Sequence, residues 1–357
     1  MRLYSNEARH ALSQWFDLPN TTLAIEIAQS CNLRCPGCWV GISRQDLWPS
    51  GGNVMIDGSL LNAALSFGRD VNISKLSLLG GEPTLHPELP EIIDNAKSLG
   101  YKKISITTNG VASMARFNSI LSSGLTGITF SVDGSTAEIH DSLRPSPNGK
   151  STFLITLRNL DLAVANENRL GYTVQVNHTV YAKNLHDTEN MIRLVHGKGV
   201  RKVRLHFSMP EDLPKPSNYY ISPSDWIELY SKVNGLRDEL GIDISQRIVY
   251  GNSWVSTSRE LRSPYLVLQP SGKMLLCAAH ARINDDSKKH FAVLNTDQSI
   301  SLNHSSPAVA HHDGERLCCG AIPLLLEQMP VDLREMILEH GGMGCIILQS
   351  RVAAIND

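Results

Sequence analysis

Short runs of β-branched and apolar residues recur along the first half of the chain, several of them ending at a glycine turn. Leu23–Ala28 leads into a cysteine-rich loop. Lys75–Leu79 ends at Gly-Gly, Lys103–Thr107 at Asn-Gly and Gly127–Val132 at Asp-Gly, and Tyr172–Asn177 and Lys202–Phe207 continue the series. Amphipathic stretches such as Pro87–Leu99, Ser151–Ala165 and Asp187–His196 lie between them and read as helices. Strand, turn and helix repeated about six times predict parallel βα units, in either an open sheet or a partial barrel. The rhythm changes after about residue 210. A Pro-rich connection, Glu211–Ser217, precedes a helix from Pro223 to Leu240. Tyr265–Gln269, the turn Pro270–Lys273 and Met274–Cys277 then read as a β-hairpin, so a smaller appendage is expected behind the βα core.

Composition narrows the class. Of 357 residues, 42% are apolar and 19% charged, which is enough apolar chain for a core and leaves no signature of disorder. The formal net charge of -2 offers no electrostatic footprint for nucleic acid or a membrane surface. The opening MRLYSNEARHALSQWF places charges where a secretory signal needs an apolar run, and no stretch approaches the ~18 apolar residues of a membrane span. A cytoplasmic protein is expected. There the seven cysteines, at 31, 35, 38, 277, 318, 319 and 345, are better read as metal ligands or catalytic groups than as disulfides.

Cys31, Cys35 and Cys38 have the spacing C-x3-C-x2-C directly after the first strand. Three thiolates on one tight loop suit an iron–sulfur cluster, because soft sulfur ligands select iron–sulfur, zinc or Cu(I). Three ligands leave a fourth metal position open for chemistry. In αβ barrels the loops after strand C-termini form the active face. A structural zinc knuckle with a fourth ligand elsewhere is the other reading of the spacing.

The later strand ends carry further motifs. Gly80-Gly81-Glu82-Pro83 follows the second strand; its glycines permit close backbone approach, and Glu82 can accept from an ammonium group. Thr107-Thr108-Asn109-Gly110 follows the third. Ser131-Val132-Asp133-Gly134 and then His140-Asp141-Ser142-Leu143-Arg144 follow the fourth, and Asn177 and Asn184 lie in the fifth-strand segment VNHTVYAKN. With the cysteine loop, these five matches at successive strand ends resemble the radical S-adenosylmethionine (SAM) superfamily over residues 23 to about 210.

The resemblance implies a partial (β/α)6 TIM-like barrel over residues 22–212, an N-terminal helix or extension over 1–21, and a C-terminal region over 213–357. It implies a [4Fe–4S] cluster on Cys31, Cys35 and Cys38 with SAM bound at its open iron. Gly80, Gly81 and Glu82 would then meet the SAM amino group, Ser131 and Arg144 its carboxylate, and Asn109 and Asn177 would complete the site. One departure is Gly37, which stands where an aromatic residue often packs near the adenine; Trp39 is the nearest substitute.

The segment Leu268–Cys277 resembles the start of a SPASM or twitch appendage, in which a hairpin delivers the first ligand of an auxiliary cluster. Phe291–Thr296 resembles its "LGN" turn, with Leu294 in place of glycine, and Gly341–Cys345 resembles a turn presenting a final ligand. Cys277, Cys318 and Cys345 are therefore the expected ligands of one auxiliary iron–sulfur cluster. Cys318 and Cys319 are adjacent, and neighbouring side chains of an extended segment point opposite ways. The reading is one ligand and one spare thiol, with Cys319 a hydrogen-atom donor if it faces SAM. A zinc site on His311, His312, Cys318 and Cys319, or cysteines that are simply buried, are the alternatives.

The function implied is reductive cleavage of SAM to a 5′-deoxyadenosyl radical that abstracts a substrate hydrogen, with an electron donor such as flavodoxin or ferredoxin. Only about twenty residues precede the first strand, which favours a small-molecule substrate (a sugar, aminocyclitol or nucleoside) undergoing oxidation or epimerisation. Maturation of a ribosomal peptide by crosslinking or epimerisation is the alternative within the family. A non-catalytic iron–sulfur or zinc protein is the alternative outside it.

Overall fold

The computed structural model describes residues 4–36, 38, 54–207, 221, 223–246, 265–275 and 290–306. Helix α1 (Asn6–Trp15) starts at Ser5, whose hydroxyl accepts from the Ala8 N–H. Then come β1 (Thr22–Ala28), α2 (Gly58–Asp70), β2 (Lys75–Gly80), a 3-10 turn (Pro83–Leu85), α3 (Leu89–Ser98), β3 (Lys103–Thr108) and α4 (Met114–Leu121). They are followed by β4 (Gly127–Ser131), α5 (Ala137–Leu143), α6 (Thr152–Leu170), β5 (Thr173–Val180), α7 (Thr188–Gly197), β6 (Lys202–Phe207), α8 (Pro223–Leu240) and β7 (Asp243–Gln246). Four short strands close the described chain: β8 (Tyr265–Leu268), β9 (Lys273–Leu275), β10 (Ala292–Leu294) and β11 (Ile300–Leu302).

Local chemistry sets several boundaries. Asp57 caps α2 by accepting from the Ser59 and Leu60 N–H groups, Ser113 caps α4, and Thr136 caps α5. Helix α6 has no cap from Ser151; Asp141 reaches over from α5 and accepts from Thr152 N at 3.0 Å and Phe153 N at 2.8 Å. That helix runs five residues beyond the expected Ala165, because its last turn is polar but still helical, and stops at Gly171 in the left-handed region (φ 75°).

The strands form one sheet in the order β11-β10-β9-β8-β1-β2-β3-β4-β5-β6-β7, with β1 to β7 parallel. This is the expected α/β partial barrel, left open between its two end strands. Two features exceed the expectation. A seventh parallel strand, β7, continues the series beyond β6, and β8 pairs in parallel with the other side of β1, Thr22 opposite Tyr265. The hairpin of β8 and β9 forms as the turn residues predict, with Gly272 at φ 81°, and it extends the barrel sheet itself. Glu211–Ser217, Gly37 and Trp39, and the four cysteines 277, 318, 319 and 345 lie outside the described residues.

Alternation along the strands packs one face against the helices. Leu76, Leu78, Ile104, Ile106, Ile128, Phe130, Val174, Val176, Val203 and Leu205 all join the main apolar core. Phe130 stacks on Phe117 of α4 with centroids 5.6 Å apart, and burying a side chain of that size contributes roughly 1.5–3 kcal/mol. Phe16, just after α1, meets Phe291, tying the N-terminal segment to the C-terminal strands. Among the described residues no helix is long and apolar enough to cross a membrane.

Where β2 ends, the backbone leans onto the end of β1: Gly81 N donates to Ala28 O at 2.6 Å and Glu82 N to Ser30 O at 2.9 Å. Gly80 stands at φ 136°, and a Cβ there would lie 2.0 Å from Ala28 O. Gly80→Ala is expected to lower unfolding stability in urea by about 1–3 kcal/mol; an unchanged midpoint would contradict this close approach.

Candidate active site

The cysteine loop leaves the C-terminal end of β1 and is fixed by its own backbone and by the loop after β3. Cys31 Sγ accepts from Leu33 N at 3.4 Å and from Asn109 Nδ2 at 3.7 Å. The same Asn109 amide donates to Asn32 Oδ1 at 2.8 Å, and Asn32 Nδ2 donates to Val111 O at 2.7 Å. Arg34 Nη1 donates to the carbonyls of Cys31 and Leu33, and Arg34 N to Pro145 O. Cys38 N closes a turn onto Cys35 O at 3.1 Å. All three thiols are half-buried. Burial first, then the nearby Glu82 carboxylate, pushes the Cys31 thiol well up, and burial pushes Cys35 up to about 12 against the opposing pull of Arg144.

Glu82 sits at the centre of the adjoining loops with 1% exposure. Its Oε1 accepts from Thr84 N (3.1 Å), Thr84 Oγ1 (2.7 Å) and Thr108 Oγ1 (2.7 Å), and its Oε2 accepts from Asn109 N (2.7 Å). The sequence gives this residue an ammonium group to accept from; the structure surrounds it with four donors of the chain itself. Burial raises its pKa, and the same hydrogen bonds work against that rise. Gly80 and Gly81 serve the same joint, since their missing side chains admit the Ala28, Gln29 and Ser30 carbonyls of the β1 end.

A second hub follows β4. Asp133, 1% exposed, accepts from Arg144 Nε through Oδ2 at 2.5 Å and from Thr179 N through Oδ1 at 2.7 Å. Its backbone carbonyl accepts from Asn184 Nδ2 at 2.9 Å, and its N–H donates to His140 Nδ1 at 3.3 Å. Burial opposes the Asp133 charge, but the Arg144 guanidinium and the Thr179 N–H outweigh it and hold the carboxyl below its usual range. His178 is neutral: burial lowers its pKa, Nδ1 lies 2.9 Å from Val132 O as a donor, and Nε2 lies 3.2 Å from Thr188 Oγ1 as an acceptor.

The resemblance assigns Ser131, Arg144 and Asn177 to the SAM site; Ser131 ends β4, Asn177 lies within β5 and Arg144 directly follows α5. Ser131 and Asn177 are register partners on β4 and β5. Arg144 is held by its Nε, and among the described residues its two Nη groups make no hydrogen bond, so the open end of the guanidinium fork suits a carboxylate. Asp133 lies inside the quoted motif, yet nothing local marks it as the anchor; the signal is only that a buried Arg needs an acid partner. Tyr181, 6% exposed, joins the same group, with Asp133, Arg144 and the Cys35 and Cys38 thiols close enough to act on its hydroxyl.

The donor set, three soft thiols on one loop with no imidazole among them, fits an iron–sulfur cluster, which spreads its cysteines over separate irons. Cys31, Cys35 and Cys38 remain close enough to raise the Cys31 thiol by mutual repulsion.

His140 gives the hub a pH dependence. Burial lowers its pKa from 6.5 to about 4, so the unfolded chain takes up this proton before the folded one. Its contribution is intact above pH 6.5 and is lost as pH falls from 6.5 to 4, by an amount on the order of 3 kcal/mol. Denaturant titrations across that window are expected to slope less steeply for His140→Gln, whose amide oxygen still accepts from Asp133 N–H; equal slopes would refute the assignment.

The radical SAM superfamily model matches residues 25–212, just over half of the chain. The GTP 3′,8-cyclase of Aquifex aeolicus (strain VF5) is 30% identical over 173 residues, covering 48% of this chain and 51% of that protein, so the chain spans about half the length of this curated relative. Among solved structures, anSMEcpe with bound AdoMet and a Cp18Cys peptide is 17% identical with a TM-score of 0.56, covering 72% of this chain and 73% of that one. Streptococcus suis SuiB bound to precursor peptide SuiA is 14% identical with a TM-score of 0.60, covering 98% and 77%. At such identities the structural likeness is one of fold. Radical SAM proteins use a [4Fe–4S] cluster with SAM, and this chain belongs to the radical SAM superfamily.

Proposed function

We propose that this chain cleaves SAM reductively and uses the resulting radical to take a hydrogen atom from a small nucleoside-like substrate. The observation that carries the reading is the cysteine loop at the C-terminal end of β1, hydrogen-bonded through Asn109 to the loop after β3 and lying beside the Asp133–Arg144 pair. When bound, the [4Fe–4S] cluster supplies the electron for SAM cleavage. The chain's own residues bind and orient. Cys31, Cys35 and Cys38 would each hold one iron, with Leu33 N–H and Asn109 Nδ2 aimed at the Cys31 sulfur. Arg144, held at Nε by Asp133, would offer its Nη groups to the SAM carboxylate, with Ser131 and Asn177 beside it. Gly80, Gly81 and Glu82 would support that site by fixing the joint between the β1 and β2 ends.

The nucleoside is kept from the initial substrate set because the curated relative is named for GTP. Neither a sugar nor an aminocyclitol has comparable support. Peptide maturation is the second reading; the fold likeness to SuiB, bound there to its precursor peptide, extends over 98% of this chain. The auxiliary cluster on Cys277, Cys318 and Cys345, the donor role of Cys319, the flavodoxin-like or ferredoxin-like electron donor and the cytoplasmic setting complete the proposal.

Anaerobic reconstitution followed by reduction with SAM is the test. Wild type is expected to form 5′-deoxyadenosine, faster when the correct nucleoside or nucleotide is present, and Cys31→Ser, Cys35→Ser and Cys38→Ser are expected to form none. Absence of 5′-deoxyadenosine from wild type would leave a non-catalytic iron–sulfur protein, and stimulation by peptides alone would replace the nucleoside. Two clusters give about eight irons per chain, falling to about four in Cys277→Ala; four in both removes the auxiliary cluster. Asp133→Asn is expected to weaken SAM binding roughly tenfold, because Arg144 loses the charge that holds it; unaltered affinity would separate Arg144 from SAM.

A further inference from the structure

One buried face of helix α6 is polar. Thr152, Thr156 and Asn159 follow the spacing i, i+4, i+7, so they share a side of the helix, and all three are buried where a core-facing stripe is ordinarily apolar. Each meets a loop of the site. Thr152 Oγ1 lies 2.9 Å from Arg144 O and 2.8 Å from Asp141 Oδ1, which ties the start of the helix to the second hub. Thr156 Oγ1 donates to Asn109 O at 2.8 Å, and Asn159 Nδ2 donates to Gly110 O at 2.8 Å and to Ala112 O at 2.9 Å. The helix thus holds the carbonyls of Asn109, Gly110 and Ala112. The one between them, Val111 O, accepts from Asn32 Nδ2 of the cysteine loop at 2.7 Å.

We infer that Thr156 and Asn159 are positioning residues for the iron–sulfur cluster: by fixing the backbone after β3 they aim the Asn109 amide at Cys31 Sγ and so help set the cluster's reduction potential. This rests on the proposed reading that Cys31 holds one iron. The approach of helix to loop leaves no slack. Gly110 stands at φ 78°, and a Cβ there would lie 2.9 Å from Thr156 Cγ2 and 3.2 Å from Thr156 Cα. A shift of α6 is therefore a shift of the loop. Asn159 Oδ1 is buried and makes no hydrogen bond among the described residues, so this amide serves through its two donations to the loop. Asn109 itself is held at every other group. Its carbonyl accepts from Thr156, its N–H donates to Glu82 Oε2, and its Oδ1 accepts from Val111 N at 2.8 Å. Only Nδ2 is left to turn toward Asn32 Oδ1 at 2.8 Å and Cys31 Sγ at 3.7 Å. Hydrogen bonds to a cluster's sulfurs favour its more negative, reduced state, so weakening this one lowers the potential.

The test is an EPR-monitored redox titration of the anaerobically reconstituted full chain without SAM, following the reduced-cluster signal that Cys31→Ser abolishes. Thr156→Val keeps the shape of the side chain and removes its donor. It is expected to make reduction about threefold less favourable at a given potential, the lower end of what one hydrogen bond is worth. Thr156→Ser, which restores the hydroxyl, is expected to return to the wild-type potential. Asn109→Ala is expected to shift the potential in the same direction at least as far, and Thr156→Val added to it to shift nothing further, because Thr156 acts through that amide. Asn159→Ala takes the place of Thr156→Val if the latter does not fold by circular dichroism, with the same shift expected. An unshifted potential, or a full further shift in the Asn109→Ala background, overturns the inference. So does a lower urea midpoint with the potential unchanged, which makes the stripe structural only. A wild type without a signal that Cys31→Ser abolishes overturns the parent reading and this inference with it, whereas a signal that is present but unmoved by the variants overturns this inference alone.

Discussion

A carboxylate shielded from water holds the catalytic end of this sheet together. An unpaired charge in the position of Glu82 would cost several kcal/mol, and the four donors from Thr84, Thr108 and Asn109 offset that cost. The same bonds join the loop after β2 to the loop after β3. With Asn109 N–H pinned on Glu82, its side-chain amide is delivered to Cys31 Sγ and Asn32 Oδ1. One buried acid therefore reaches Cys31, the first cysteine of the loop, through a single intermediate residue. Glu82 also raises the Cys31 thiol by its charge, so the clamp that orients this sulfur favours its protonated form until a metal binds.

Asp133 repeats the design two strands along. It gathers Arg144, the Thr179 N–H of β5 and the Asn184 side chain, while His140 and His178 pack around it as neutral rings. The two hubs meet at the cysteine loop: Asn109 reaches Cys31 from one side, Arg144 lies close to Cys35 on the other, and Arg34 N–H bonds the carbonyl of Pro145, next to Arg144. The apolar core beneath supplies a stiff platform, and the polar links above it convert strand register into side-chain geometry. Residues far apart in sequence are thus held by hydrogen bonds of the chain itself, which is what a radical enzyme needs to confine its chemistry.

The sequence discloses what depends on neighbouring residues and hides what depends on partners across the sheet. Strands β1 to β6 are legible because apolar alternation and glycine turns are local signals. Strand β7 is not, since Asp243–Gln246 holds the single apolar residue Ile244 between polar neighbours and becomes a strand by pairing with the β6 edge. The parallel pairing of β8 with β1 joins segments more than two hundred residues apart, and no short-range pattern encodes it. Within the site, the cysteine spacing and strand-end motifs bring out Cys31, Glu82, Asn109, Ser131, Arg144 and Asn177. What they conceal is which residues work through others: Glu82 acts on Thr108 and Asn109 across a gap of 26 and 27 residues, and Asp133 binds Arg144 and Thr179 at 11 and 46.

Pre-organisation by these buried acids is tested most directly by amide hydrogen exchange on the metal-free chain. Glu82 and Asn109 N–H, at the first hub, and Thr179 N–H, at the second, are expected to exchange as slowly as core amides such as Ile106 and Val176, with no cluster or SAM present. Rapid exchange at these three positions, becoming slow only after cluster loading, would show that the cofactor builds the site and would contradict a framework assembled by Glu82 and Asp133.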